Sequence, residues 1–173
     1  MNRGRFPSAK AKQKESSITE LFNDRDEQKG VAMDKIMQIS VFSENKPGKI
    51  EKITRIFSEK AINILAISIT STNGFGIIKL LVDKCDLAYQ ELQKAGITVS
   101  LSEVLAIEMK DSPGGMYEVS HILSKHGINI ENAYVYVVES RTRAYLLVEV
   151  KDIEKAKEIL AHEQLTFLNL KSC

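Results

Sequence analysis

The segment Ser43–Ser68, SENKPGKIEKITRIFSEKAINILAIS, contains a turn, a helix and the start of a strand in succession. Pro47-Gly48 follows an apolar run and opens a stretch whose apolar residues have the spacing of one helix face. That face consists of Ile50, Ile53, Ile56 and Phe57. Ile62-Asn63-Ile64 then begins a β-rich run. The segment therefore predicts the order strand, loop, helix, strand.

The same pattern returns later in the chain, so the sequence contains an internal repeat. Pro47-Gly48 recurs as Pro113-Gly114, 66 positions on (47 to 113), and Ile62-Asn63-Ile64 recurs as Ile128-Asn129-Ile130 at the same offset. Further on, the offset grows to 68 (88 to 156). This growth indicates a second hairpin that is two residues longer, because hairpin loops absorb such insertions.

Each copy reads as βαββαβ. The first copy predicts strands at 36–42, 62–71, 76–83 and 97–101 and helices at 48–60 and 84–94. The second predicts strands at 104–109, 128–138, 143–150 and 165–170 and helices at 114–125 and 152–162. The expected fold class is α+β: two ferredoxin-like modules, over residues 35–103 and 104–172, each an antiparallel sheet with both helices on one face.

The charge balance and the cysteines limit the possible functions. With 24 basic and 23 acidic residues the net charge is +1, so we expect neither a nucleic-acid partner nor a membrane partner. Cys85 and Cys173 fit no disulfide framework and no zinc spacing, which favours a reducing, cytoplasmic location. No apolar run approaches the roughly 18 residues of a membrane span.

No pattern typical of catalysis is present. His121, His126 and His162 lack the spacing of a helical metal pair, and the sequence contains no glycine-rich nucleotide motif and no nucleophile elbow. We therefore expect a protein that is not an enzyme and that uses no metal and no cofactor.

The first 32 residues, Met1–Ala32, are polar, with only a weak apolar cluster, and predict a disordered tail. A basic arm for a partner is the alternative interpretation. A third is an over-extended gene start, with Met33 as the true first residue, since the codons of Lys29-Gly30-Val31 can contain a ribosome-binding sequence.

The predicted fold leaves one face of each sheet without helices, and an apolar sheet face of this kind favours a partner. We therefore expect a homodimer, formed by pairing of strands or of these faces. Tyr134 and Tyr136 fit either an interface belt or ordinary half-buried strand positions.

The strand–loop–helix turn of the first copy has the chemistry of a small-ligand site. A helix N-terminus offers unpaired N–H groups and a positive dipole end to a carboxylate. The Asn45 amide adds a donor and an acceptor, which suits a ligand carrying a carboxylate and an ammonium. The alternative is that Pro47-Gly48 only makes the turn.

The segment Ser43–Ser68, its repeat and the order of elements resemble the ACT domain, a regulatory module of amino-acid-metabolising enzymes. The resemblance covers about residues 35–172. It implies that a free amino acid binds at the loop and across a domain interface, with Asn45 and Asn63 holding it. The implied first site consists of Ser43, Asn45, Lys46, Pro47, Gly48, Lys49, Ile50 and Asn63.

In the second copy the loop reads Lys110-Asp111-Ser112-Pro113-Gly114, so Asp111 takes the place of Asn45. An acidic residue prefers the ammonium end of a ligand, so the two sites need not be equivalent. The implied second site consists of Asp111, Ser112, Pro113, Gly114, Gly115, Met116 and Asn129.

The resemblance implies a stand-alone sensor that regulates a partner when a free amino acid binds. Two alternatives stay open: a detached regulatory subunit of an amino-acid-biosynthetic enzyme, and a structural dimerisation module with vestigial pockets. The last is favoured if Asn45 and Asn63 do not face one another.

Overall fold

The computed structural model describes Met33 and residues 35–168, so the predicted tail at 1–32 lies outside the described residues. The described strands are β1 Ile36–Glu44, β2 Ile64–Thr72, β3 Phe75–Val82, β4 Thr98–Lys110, β5 Asn132–Glu139 and β6 Arg143–Glu149. The described helices are α1 Lys49–Glu59, α2 Cys85–Lys94, α3 Gly115–Lys125 and α4 Ile153–Leu160. This order confirms the α+β prediction of tandem ferredoxin-like modules.

The strands form one six-stranded antiparallel sheet in the order β2-β3-β1-β4-β6-β5. β4 is shared: Thr98–Val104 pairs with β1, and Leu105–Lys110 pairs with β6. The separate strands predicted at 97–101 and 104–109 are therefore one strand, and the predicted module boundary at 103/104 falls inside it. No Gly, Pro or Asn separates the two halves, so nothing in the local sequence ends the strand.

The four described helices cover one side of this sheet in two apolar cores. The first core joins α1 and α2 to the first half of the sheet and is centred on Ile39, Ile53, Phe57, Leu80, Ala88 and Leu92. The second joins α3 and α4 to the other half and is centred on Ile107, Val119, Leu123, Leu146, Ala156 and Leu160. None of these helices is both long enough and apolar enough to cross a bilayer.

A third core lies on the helix-free side, between the two modules. Its buried residues come from both copies: Ile36, Ala66, Leu81, Val104, Ala106, Tyr145, Leu147 and Leu168. The sheet coils so that its edge strands β2 and β5 contact each other. The helix-free faces therefore find their partner within the chain, and Tyr134 and Tyr136 pack at this internal interface.

The strand predicted at 165–170 is reduced, among the described residues, to one bridge between Ile107 and Phe167. The Glu108 N–H donates to the Thr166 carbonyl at 2.8 Å, and the Leu168 N–H donates to the Ala106 carbonyl at 2.8 Å. The C-terminal segment thus pairs with the middle of β4 through backbone hydrogen bonds. Residues 169 and 170 lie outside the described part of the chain.

Candidate functional site

The first β–α loop, residues 45–48, connects β1 to α1 and is exposed throughout. Asn45 is fixed against the β2–β3 hairpin: its N–H donates to the Gly74 carbonyl at 2.8 Å, and its Nδ2 donates to Ser71 Oγ at 2.9 Å. The side-chain carbonyl of Asn45 and one amide hydrogen remain available for a ligand. The loop therefore presents a polar group at a defined position.

Gly48 forms the N-cap of α1 with a φ of +86°, a conformation that glycine adopts without strain. No side chain caps this helix, and the space where a Cβ would stand is open to 4 Å. The backbone at Gly48 is therefore open on this side, and the first turn of a helix offers unpaired N–H groups to a small anion.

The charges around this loop are of both signs. Lys46 Nζ lies 2.7 Å from Glu44 Oε2, and hydrogen bonding and the charge of Lys46 hold the pKa of Glu44 below its ordinary value. Lys49, exposed at the start of α1, adds a second cation. Pro47 sets the turn between these two lysines, and Ile50, 42% exposed, offers an apolar contact beside them.

Ser43, the candidate that precedes this loop, belongs to β1. Its hydroxyl donates to the Glu44 carbonyl at 3.0 Å, so its hydrogen is already engaged within the strand. A ligand at the loop would meet Ser43 only as an acceptor.

Asn63 does not lie near Asn45 in the same module. Asn63 precedes β2 and donates its N–H to Asp83 Oδ1 at 2.8 Å, whereas Asn45 contacts Ser71 near the other end of that strand. At about 3.3 Å per residue, this separation is roughly 25 Å. The structure therefore does not bring the two asparagines of the first copy together.

The second β–α loop repeats the geometry of the first with a different side chain. Asp111 Oδ2 accepts the Arg141 N–H at 2.6 Å, and the Asp111 N–H donates to the Thr142 carbonyl at 3.3 Å. Gly114 is the N-cap of α3 with a φ of +95° and no capping side chain. The loop is thus tied to the β5–β6 hairpin, as the first is tied to β2–β3, but through a carboxylate.

The remaining candidates of the second loop differ in exposure. Ser112 and Pro113 are exposed, as is Met116 at 52%. Gly115 is buried, and a Cβ there would collide with the backbone carbonyl of Lys110. Gly115 therefore lets α3 approach the end of β4 closely, a packing role that the sequence motif does not reveal.

Asn129 lies in a separate cleft of about 260 Å³ between the end of α3 and the start of α4. Its Nδ2 donates to Glu131 Oε1 at 2.9 Å. Unlike α1 and α3, α4 has a side-chain cap, because Asp152 Oδ1 accepts the Lys155 N–H at 3.1 Å. The helix N-terminus in this cleft is therefore less available to an anion than the other two.

Sequence reasoning missed a polar cluster on the helix-free side of the sheet. Gln38 is completely buried, donates to Glu149 and accepts the Tyr134 hydroxyl at 2.7 Å; Lys79 pairs with the other oxygen of Glu149. Burial and the Glu149 carboxylate raise the pKa of Tyr134, so its hydroxyl remains a donor. The available signal was Gln38 and Ser40 within the otherwise apolar run of residues 36–42.

Known structures share this architecture. The protein BT0572 from Bacteroides thetaiotaomicron is 28% identical with a TM-score of 0.72, over 78% of this chain and 92% of that one. The ligand-free regulatory subunit of aspartate kinase from Thermus thermophilus is 19% identical with a TM-score of 0.54, over 76% and 95%. The corresponding subunit from Thermus flavus is 17% identical with a TM-score of 0.52, over 77% and 93%.

No curated protein sequence matches the chain. The family described as the ACT domain pair matches residues 34–173, which include both copies of the repeat and both β–α loops. ACT domains are regulatory modules, and the expected resemblance is confirmed. This chain therefore belongs to the ACT domain pair family.

Proposed function

We propose that this protein is a regulatory sensor that binds a free amino acid at its β–α loops and transmits occupancy to a partner in the cytoplasm. The observation that carries the proposal is the first loop, in which the Asn45 amide, two lysines and the uncapped N-terminus of α1 follow one another along the chain. Its donors suit a carboxylate, and the Asn45 carbonyl suits an ammonium.

The fold likeness to regulatory subunits of aspartate kinase supports an enzyme as that partner. A detached regulatory subunit of an amino-acid-biosynthetic enzyme is therefore the second candidate. The separation of Asn45 from Asn63 within the first copy favours the third candidate, a structural dimerisation module with vestigial pockets. Amino-acid binding distinguishes the sensor from this module. Binding itself is thus the property to measure first.

The test is calorimetric titration of the twenty amino acids against the wild type and Asn45→Ala. We expect Asn45→Ala to weaken binding by about 1 to 3 kcal/mol, because it removes a hydrogen-bonding partner of a charged ligand. Ser71→Ala is the matched control, since it removes the same Asn45–Ser71 hydrogen bond and keeps the amide.

Ser71→Ala should bind as the wild type does. Equal affinity for the wild type and Asn45→Ala would exclude the first loop as the site. An equal loss in both variants would show that Asn45 only positions the hairpin. If no amino acid binds to the wild type, the sensor proposal fails and the structural module remains.

We propose further that the chain forms a homodimer through its edge strands. The helix-free faces are already used inside the chain, whereas the edges expose Ile67 and Ile69 on β2 and Val135 and Val137 on β5. Light scattering should give twice the chain mass, and Ile69→Lys should reduce it. A monomeric mass for the wild type at micromolar concentration contradicts this expectation.

A further inference from the structure

The cleft of about 260 Å³ between the end of α3 and the start of α4 belongs to the second module alone. Its lining residues all fall within 126–131 and 150–159, so neither β–α loop contributes to it. Part of the lining is apolar and consists of Ile128, Val150, Ala156 and Ile159. The cleft therefore combines a charged rim with an apolar wall, at the end of the module opposite to the loops.

The internal repeat shows what occupies the equivalent place in the first copy. Asn63 corresponds to Asn129 at the offset of 66, and Asp83 corresponds to Lys151 at the offset of 68. In the first copy the Asp83 carboxylate accepts the Asn63 N–H at 2.8 Å, and the Asp83 N–H donates to the Asn63 carbonyl at 3.1 Å. A carboxylate of the chain itself thus closes this place in the first module.

The second copy has a cation where the first has this carboxylate. With Lys151 in the place of Asp83, the β5–β6 ladder ends two residues earlier, where the Glu131 N–H donates to the Glu149 carbonyl at 2.9 Å. Between Met33 and Leu168, no described group accepts the Asn129 N–H. The second copy therefore keeps the donor of this arrangement and lacks the acceptor.

The cations of the cleft are available to a ligand, whereas its carboxylates are engaged. Lys151 and Lys155 form no ion pair with any described residue, since the ion pairs of α4 are both made by Lys157. Glu131 and Asp152 already accept hydrogen bonds within the chain, at 2.9 and 3.1 Å. An anion in the cleft would meet two free cations and one free N–H, while an ammonium group would be repelled by the same lysines.

We propose that this cleft binds a small carboxylate that has a short apolar chain and no ammonium group. The ligand carboxylate takes the place of the Asp83 carboxylate of the first copy, accepts the Asn129 N–H and pairs with Lys151 and Lys155. Its chain packs on the apolar wall beside Ile159. The site differs from the loops in position and in ligand, so the proposal goes beyond the proposed function.

The decisive variant, Lys151→Asp, gives the second copy the carboxylate of the first. The new side chain should accept the Asn129 N–H and exclude the ligand from its place. Calorimetry with 3-methylbutanoate should show binding to the wild type that falls by about tenfold or more in Lys151→Asp, because a charge-assisted contact becomes a repulsion. Circular dichroism checks that the variant remains folded.

A second variant and a control make the result independent of the folding of Lys151→Asp. Lys155→Leu introduces the residue that the first copy has at the equivalent position, Leu87, and changes only an exposed side chain. It should weaken binding of 3-methylbutanoate about tenfold. Lys52→Leu, an exposed change on α1, is the matched control and should bind as the wild type does. In the wild type, the amide resonance of Asn129 should shift on titration.

Three further probes test the chemistry of the ligand. 3-Methylbutylamine replaces the carboxylate by an amine, L-leucine adds an ammonium group, and inorganic phosphate lacks the apolar chain. Each should bind to the cleft more weakly than 3-methylbutanoate. Equal binding of L-leucine would make the cleft an amino-acid site, and equal binding of phosphate would make it a general anion site; either result overturns the proposal.

Asn45→Ala separates the cleft from the first loop. Binding of 3-methylbutanoate that persists in Asn45→Ala and is weakened in Lys155→Leu supports the cleft. Binding that is lost in Asn45→Ala and retained in Lys155→Leu overturns the cleft and leaves the loop function standing. The proposal also fails if 3-methylbutanoate does not bind to the wild type, or if both lysine variants bind it as the wild type does.

Discussion

Gly115 and Lys49 occupy equivalent positions in the two copies but differ in burial. Lys49 is exposed at the first position of α1, whereas Gly115 is buried at the first position of α3. A Cβ at Gly115 would meet the Lys110 carbonyl, so the second copy packs its helix more closely on the strand end.

Gly115→Ala should therefore destabilise the protein by about 1 to 3 kcal/mol, because the added methyl forces the backbone of α3 away from β4. Denaturant unfolding measures the change. Lys49→Ala is the matched control and should alter the midpoint little. An unchanged midpoint for Gly115→Ala would contradict this expectation, because it would mean that the backbone before α3 shifts without loss of stability.

Some features of the candidate site follow from the local sequence, and others do not. The exposure of Asn45 and the uncapped glycines follow from the turn motif, because strand–loop–helix connections run over the surface. The engagement of Asp111 with the Arg141 N–H does not follow, since it depends on a hairpin that is distant in sequence. The polar cluster of Gln38, Lys79, Tyr134 and Glu149 depends in the same way on residues from four separate strands.

At the scale of elements, the helices are predicted better than the strands. Local apolar spacing decides a helix, and the observed limits of α1 and α3 lie close to those expected at 48–60 and 114–125. Strand limits depend on partners: β4 continues through the expected boundary because β1 and β6 pair with consecutive halves of it. Likewise β5 begins at Asn132, whereas the sequence predicts a strand from residue 128.

The end of α3 is connected to the segment after α4 by Glu163, which lies 2.5 Å from His126 Nε2 and 3.2 Å from Lys125 Nζ. These two contacts, that with His126 first, hold the pKa of Glu163 below its ordinary value of 4.5. A carboxylate with a lowered folded pKa stabilises the fold above its unfolded pKa, and that contribution is lost as the pH falls through the folded value.

Glu163→Gln should therefore reduce the free energy of unfolding at pH 7. The difference from the wild type should shrink as the pH falls below the unfolded pKa and vanish once the pH is below the lowered folded pKa. Urea unfolding at a series of pH values measures it. Glu158→Gln, an exposed change on α4, is the matched control for loss of a surface carboxylate. A difference that is constant across the series would contradict the assignment.

At the scale of the molecule, the shared strand and the third core make two modules one folding unit. Cutting between residues 103 and 104 divides β4 and exposes apolar residues of both copies. Neither the shared strand nor the core follows from the repeat, because the sequence of each copy is complete by itself. Both features arise from the assembly of the two copies into one sheet that coils until β2 contacts β5.

The whole chain should therefore unfold in one cooperative transition, while the fragments 1–103 and 104–173 should each lack one. Circular dichroism of the fragments, alone and mixed, tests this. Mixing should restore structure if the third core provides the missing stability. Two independent cooperative transitions would instead show that each module folds alone.

The ends of the described chain also meet at the middle of β4. β1 begins at Ile36, opposite Val104, and Leu168 donates its N–H to the Ala106 carbonyl. A short linker across this point would make the polypeptide a closed ring, and opening that ring at the Asn73-Gly74 turn would keep every ladder of the sheet. A circular permutant opened there would therefore present its termini at the hairpin that holds Asn45.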